Sequence, residues 1–265
     1  MEQGNKIKLR NEVDRFGFSN IISKKLNYSH PPKSYANWLH GWFWADPEDR
    51  NLESKVDLML GYPKIYNYNV PTVVHNIKLK NTLTDYGFTN VYCGGLPFIY
   101  TNKIEVKKKQ DSLLVIMPHS LDYMNFSSSD MKNINNYLEK IYSFKKDFKH
   151  IDCLIFESDI LKGTFAKLLK QYDFNLLVGA KPDHSNSLNY MRSIFEKYVY
   201  VTSCSLCSGL IYSMFCGGKP SIIEPIFEHS GDFFNTNPHI KKHNLVDVIL
   251  YKESKNYLFK NYSYF

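Results

Sequence analysis

Cysteine is scarce in this sequence, long apolar runs are missing, and no Asp-x-Asp motif occurs anywhere along it. The five cysteines (Cys93, Cys153, Cys204, Cys207 and Cys216) are an odd number spread over 265 residues. That excludes a disulfide scaffold and predicts reduced thiols. The first residues, MEQGNKIKLRNEV, lack the apolar core of a signal peptide. No later stretch approaches the roughly 18 uninterrupted apolar residues of a membrane span. The expected location is therefore cytoplasmic. Cys204 and Cys207 have C-x-x-C spacing, but no second Cys or His pair has metal spacing, which argues against structural zinc. The proline and aromatic neighbours of a thioredoxin-type redox pair are missing too. These cysteines read as small apolar residues packed beside a sheet.

What remains is an ordinary globular composition, 43% hydrophobic and 22% charged, long enough for one good core or two modest ones. The formal charge is +7. Lys and Arg are dispersed rather than massed on one helix, so no nucleic-acid partner is expected. A mildly basic surface favours phosphate-bearing substrates or an anionic membrane face.

From Asp111 onward, short apolar runs alternate with helical periodicity. SLLVIMP (112–118) precedes a stretch in which Ile134, Leu138, Ile141 and Phe144 recur at helical spacing. DCLIFES (152–158) precedes a helix at 161–173, NLLVGA (175–180) precedes SLNYMRSIFEKY, and YVYVTSC precedes LCSGLIYSMFCGG. KPSIIEP supplies a fifth strand. This alternation predicts an α/β fold with a parallel sheet covered by helices on both faces. Ligands of such sheets bind beyond the carboxyl ends of the strands. The residues expected there are Pro118 to Ser120, Glu157 to Asp159, Ala180 to Pro182 and Ser203 to Ser205.

The first part is less regular. Residues 37–44 (NWLHGWFW), 70–75 and 90–97 read as strands, and LKNTLTDYG as a helix capped by Gly87. TNKIEVKKKQD (101–111) reads as a solvated connector. The domains expected are a small lobe over 1–105 and a larger one over 106–265.

In YVTSCSLCSGLIYSMFCGGKPSII (200–223) a strand runs directly into a helix rich in serine at its start. Helix N-termini leave N–H groups unpaired and attract phosphate, and Ser203, Ser205 and Ser208 would add hydroxyl donors. The alternative is that Ser203 or Ser205 serves only as an N-cap. Gly217 and Gly218 are expected to end this helix, with Pro220 opening the next strand.

The segment Thr202 to Ile223, T-S-x-S-x-x-S-x-x-x-Y-S-x-x-x-G-G-K-P-S-I-I, resembles the donor-site helix of GT-B glycosyltransferases and of the related polymerases that build capsule and teichoic-acid-type polymers. NWLHGWFW, with Trp38, His40 and Gly41, resembles the W-x-H-G element that some of these enzymes carry in an acceptor lobe. GGLPFIY (94–100) looks like their crossing segment. The resemblance implies a GT-B-like fold of two Rossmann-like lobes, a reduced N-terminal acceptor lobe and a C-terminal parallel-sheet donor lobe. It implies a glycosyltransferase of surface polysaccharide assembly that moves a sugar from a nucleotide sugar to a saccharide or lipid-linked acceptor, with no cofactor and no metal.

His40 is the candidate base, since an imidazole titrating near neutrality suits proton abstraction; it also reads as a histidine bonded within a tryptophan-rich core. Asp46 and Glu48 are alternative bases, or an ordinary acidic turn. For the donor, the candidates are His119, Lys181, Ser203, Ser205, Ser208, Tyr212, Glu224 and Glu228, the last two for ribose hydroxyls. His119 also reads as a polar strand end and Lys181 as a solvated lysine. The aromatic and lysine-rich tail beyond Phe227 reads as a crossing helix, a peripheral membrane contact or a self-packed segment. Two rival functions are a nucleotide-sugar epimerase, with Asp159 and Glu157 as its acid and base, and a non-catalytic nucleotide- or partner-binding protein.

Overall fold

A computed structural model describes residues 15–29, 37–38, 41, 69, 71–120, 126–182 and 184–223. The chain divides into two compact units, one of Met1–Asn102 with Lys181–Tyr190, the other of Lys103–Ala180 with Met191–Phe265.

In the first unit, helix α1 (Phe18–Lys25) follows a tight turn, and strands β1 (Asn37–Trp38), β2 (Thr72–Val74) and β3 (Val91–Cys93) form a parallel sheet in the order β1-β2-β3. Helix α2 (Ile77–Asp85) joins β2 to β3, and Asn76 caps it by accepting the Leu79 N–H at 2.7 Å. Val74, Leu79, Leu83, Phe88 and Val91 are among the buried residues of this unit's core. Trp38 is held from two sides. Its Nε1–H donates to the Gly95 carbonyl at 3.0 Å, and its ring meets Tyr100 edge-on at 5.8 Å.

Ahead of α1, Gly17 sits at φ +80°, and a Cβ there would lie 2.0 Å from the Ser185 carbonyl oxygen. The adjoining Phe16 N–H donates to the Pro182 carbonyl at 2.7 Å. Replacing Gly17 by alanine would strain the backbone and force the 181–190 segment away. Gly17→Ala is expected to destabilise this unit by about 2–4 kcal/mol, read as a lowered urea midpoint; an unchanged midpoint would disprove the close approach.

The second unit carries the predicted parallel sheet. Its strands are β4 (Lys109–Ile116), β5 (His150–Ile155), β6 (Asn175–Val178), β7 (Tyr198–Ser203) and β8 (Lys219–Ile222), in the order β6-β5-β4-β7-β8, with every pair parallel. The connections carry α3 (Ser128–Tyr142), α4 (Glu157–Leu161), α5 (Ala166–Gln171), α6 (Ser187–Phe195) and α7 (Ser208–Phe215). A parallel pair cannot be closed by a hairpin, which is why the sequence returns to a helix after each strand.

Alternation along the strands loads both faces. Leu113 and Val115 of β4, Met117 just after it, and Ile151, Cys153 and Ile155 of β5 pack under α3 through Ile134, Tyr137, Leu138 and Ile141. Cys204 joins this cluster beside Cys153, so it packs as the sequence implies, whereas Cys207, read the same way, is only half-buried at the turn. On the other face Gly209 of α7 lets the helix close on Ile116 and Phe195; a Cβ there would lie 2.6 Å from the Ile116 side chain.

Three local expectations are corrected. Residues 101–111 are not all connector: β4 begins at Lys109, which pairs with Tyr198 before the register shifts. The helix expected over 161–173 is broken, because Gly163 takes φ +69° between α4 and α5. The helix after β7 starts at Ser208, and its N-cap is Cys207, with no side-chain cap, so neither Ser203 nor Ser205 caps it. Gly217, at φ +72°, ends that helix as expected.

Candidate functional site

The strand order marks a candidate position before any side chain is considered. From β4 the chain winds outward through β5 to β6, then returns to the other side of β4 as β7 and β8. The winding reverses between β4 and β7, and the crevice beyond the carboxyl ends of two such strands is where doubly wound sheets take ligands. Ile116 is paired with Ser203 at this point. The segments leaving it are Met117 to Ser120 and Ser203 to Ser208, two of the four strand ends singled out from the sequence.

In the first segment Ser120 is buried and fully engaged. Its N–H donates to Asp159 Oδ2 at 3.0 Å, its hydroxyl donates to Asp159 Oδ1, and Lys162 Nζ donates to that hydroxyl at 2.9 Å. Asp159 is 0% exposed. Burial of a carboxylate is tolerated only where hydrogen bonds replace its water, and Ser120 supplies two. His119 is exposed. Its Nδ1 lies 3.0 Å from the Ser120 carbonyl oxygen, and its ring rests on Phe156 at 5.4 Å. The sequence puts Ser120 and Asp159 at strand ends and marks His119, but it gives Ser120 no role, does not pair it with Asp159, and misses Lys162. Their grouping depends on β4 and β5 being neighbours, which residue spacing does not reveal.

The second segment is a tight turn. The Ser205 N–H donates to Ser203 Oγ at 3.4 Å, and the Cys207 thiol donates to the same oxygen at 3.8 Å. Ser203 is buried, whereas Ser205 and Ser208 are partly exposed. Burial raises the Cys207 thiol above its ordinary pKa, against the opposing pull of the Leu210 N–H, the Ser203 hydroxyl and the Gly209 N–H. A thiol raised in this way is a weaker nucleophile than a free one. Tyr212 is buried, with its ring edge-on to Phe195 at 6.2 Å.

Lys181 belongs to the first unit. It is exposed, and its carbonyl accepts from Ser187 Oγ and the His184 N–H. His40, Asp46, Glu48, Glu224, Glu228 and the tail beyond Phe227 lie outside the described residues. Among the described residues, no group of three or more His, Cys, Asp or Glu could hold a metal ion. No helix among them is long and apolar enough to cross a membrane.

No protein-family model matches the chain, and neither does any curated protein. Solved structures do align with it. A point mutant of S. aureus TarM in complex with fondaparinux, α-GlcNAc-glycerol and UDP is 12% identical, with a TM-score of 0.37 over 92% of this chain and 51% of that one. A second TarM structure is 10% identical, with a TM-score of 0.38 over 92% of this chain and 50% of that one. The chain thus spans about half the length of the structures it matches.

Proposed function

We propose that this chain is a metal-independent glycosyltransferase of GT-B type, moving a sugar from a nucleotide sugar to a hydroxyl of a saccharide or lipid-linked acceptor in surface polysaccharide assembly. The observation that carries the reading is the reversal of strand order at β4 and β7, which sets the serine-bearing turn of the resembling segment Thr202 to Ile223 at a sheet's ligand-binding edge.

Glycosyl transfer needs charge stabilisation for the departing nucleoside diphosphate and a base for the incoming hydroxyl. The partly exposed Ser205 and Ser208, at the turn into α7, are the donors proposed for the phosphates, together with N–H groups of the same turn. Ser203 shapes that turn from beneath through its bonds to Ser205 and Cys207. Lys181 is proposed as a phosphate partner, His40 as the base with Asp46 and Glu48 as alternates, and Glu224 and Glu228 as ribose contacts. The buried Tyr212 is assigned to the wall behind the turn. The geometry gives the epimerase alternative no support, because its acid and base pair would include Asp159, which is wholly buried and committed to Ser120.

Calorimetric titration with UDP, CDP and GDP, followed by product analysis with the matching nucleotide sugars and mixed acceptors, tests the reading. One nucleotide should bind, and the Ser205→Ala/Ser208→Ala pair should weaken it about 10- to 100-fold, the worth of one or two charge-assisted hydrogen bonds. Binding without sugar transfer in every acceptor mixture would leave only a nucleotide-binding protein.

A further inference from the structure

The group around Ser120 does more than fill space. A serine whose hydroxyl is an active nucleophile keeps its oxygen open to a substrate and its proton shared with a base. Ser120 is 1% exposed, its hydroxyl donates to Asp159, and its oxygen accepts from Lys162 Nζ. The hydroxyl both donates and accepts within the protein, and the N–H is bonded as well. The arrangement holds the main chain of residue 120 at a fixed height and orientation beyond the strand end.

What that main chain offers is its carbonyl, and the group it meets is His119 Nδ1, at 3.0 Å. A carbonyl oxygen only accepts, so in the neutral ring the proton of this pair resides on Nδ1. Nε2 then carries a lone pair, and among the described residues it has no partner. Phe156 against the ring restricts the imidazole's swing. Such an imidazole suits a ligand that brings a proton, such as a hydroxyl, and disfavours a bare phosphate oxygen, which would face lone pair to lone pair. That separates His119 from the serine turn, whose donors suit the phosphates.

We propose that Asp159, acting through Ser120 with Lys162 as its counterweight, is a positioning residue that holds His119 in the Nδ1–H form and leaves Nε2 to accept a hydroxyl proton from a nucleoside or sugar. The choice of ligand rests on the function proposed above; the positioning does not.

The experiment is nitrogen-15 NMR of the His119 ring in the full chain near pH 8.5, a pH at which an ordinary imidazole is neutral. The wild type should show the Nδ1–H pattern, and Asp159→Asn should lose it, because the amide nitrogen that replaces one carboxylate oxygen cannot accept from Ser120. Should that variant fail to fold, Ser120→Ala removes the hydroxyl link and reads the same loss. A wild-type ring in the Nε2–H form overturns the proposal, as does an Nδ1–H pattern unchanged in the variants. Adding UDP should move the Nε2 resonance while inorganic pyrophosphate should not; equal shifts with both would return His119 to the phosphates. Failure of UDP to bind at all would count against the glycosyltransferase and leave the tautomer result to judge the positioning by itself.

Discussion

Asp152→Ala should cost the second unit about 3–5 kcal/mol, a large part of the stability of any domain. Asp152 is buried at the amino ends of the sheet strands, opposite to the candidate site, and three strands reach it. Tyr198 of β7 donates its hydroxyl at 2.5 Å, Asn175 of β6 donates its amide at 2.8 Å, and Lys109 of β4 approaches at 3.5 Å. The three contacts are unequal. The Lys109 side chain is 45% exposed, so its pairing is screened and worth little. Tyr198 and Asn175 donate to a desolvated carboxylate, and charge-assisted bonds in such surroundings are worth roughly twice neutral ones. Alanine would remove both bonds and strand the buried Tyr198 hydroxyl, the costlier half of the change. Tyr198→Phe takes one donated bond from Asp152 and leaves it Asn175 and Lys109, so its loss should be about 1–2 kcal/mol. Urea unfolding of the two variants checks the ratio, and a loss below about 1 kcal/mol for Asp152→Ala would show that the carboxylate does not tie the strands.

Alkaline solution should unfold the protein through its buried thiols and phenols. Burial, then Asp152, raises the Cys153 thiol; burial, then Glu196, pushes Cys216 up to about 11. Among the phenols, burial with nearby Cys204 and Cys153 raises Tyr137, burial with Asp152 raises Tyr198, and burial with Cys207 raises Tyr212. In the unfolded chain thiols release their protons near pH 8.5 and phenols near pH 10. The folded chain therefore holds more protons above these values, and stability falls as pH rises. The contribution is fully present below about pH 8.5. Above it each raised group removes about 1.4 kcal/mol per pH unit until its folded pKa is reached. Cys216 alone would cost about 3 kcal/mol by pH 11, and the phenols join from about pH 10. Urea midpoints at pH 7, 9, 10 and 11 under reducing conditions should drop with increasing slope, and Tyr212→Phe should flatten the last segment. A midpoint level to pH 11 would mean these groups titrate freely in the folded chain.

The parallel sheet was legible because its signal is local. Each of the five runs beginning near Ser112, Asp152, Asn175, Tyr198 and Lys219 is apolar and short, and all but the last are followed by residues at helical spacing. The breaks were less legible, because one residue decides them. Gly163 divides a helix whose apolar spacing continues on both sides of it, and Cys207 takes a cap position that the neighbouring serines would ordinarily fill.

The serine-rich turn shows the same division. That a strand enters a helix through Ser203, Ser205 and Ser208 is written in the order of residues. That Ser203 turns inward while Ser205 and Ser208 stay partly open depends on how the turn closes over Cys207.

By itself the order of residues determined the class of the fold and where its strands end, since these follow from periodicity along the chain. Only the tertiary structure decided that β4 lies between β5 and β7, and with it the placing of Ser120 on Asp159 and of Ile116 beside Ser203. Strand order is a long-range outcome of which faces pack together, and no spacing within one segment encodes it. A buried carboxylate such as Asp159 likewise reveals its purpose only when the residue that satisfies it, 39 positions away, is brought to it by the neighbouring strand.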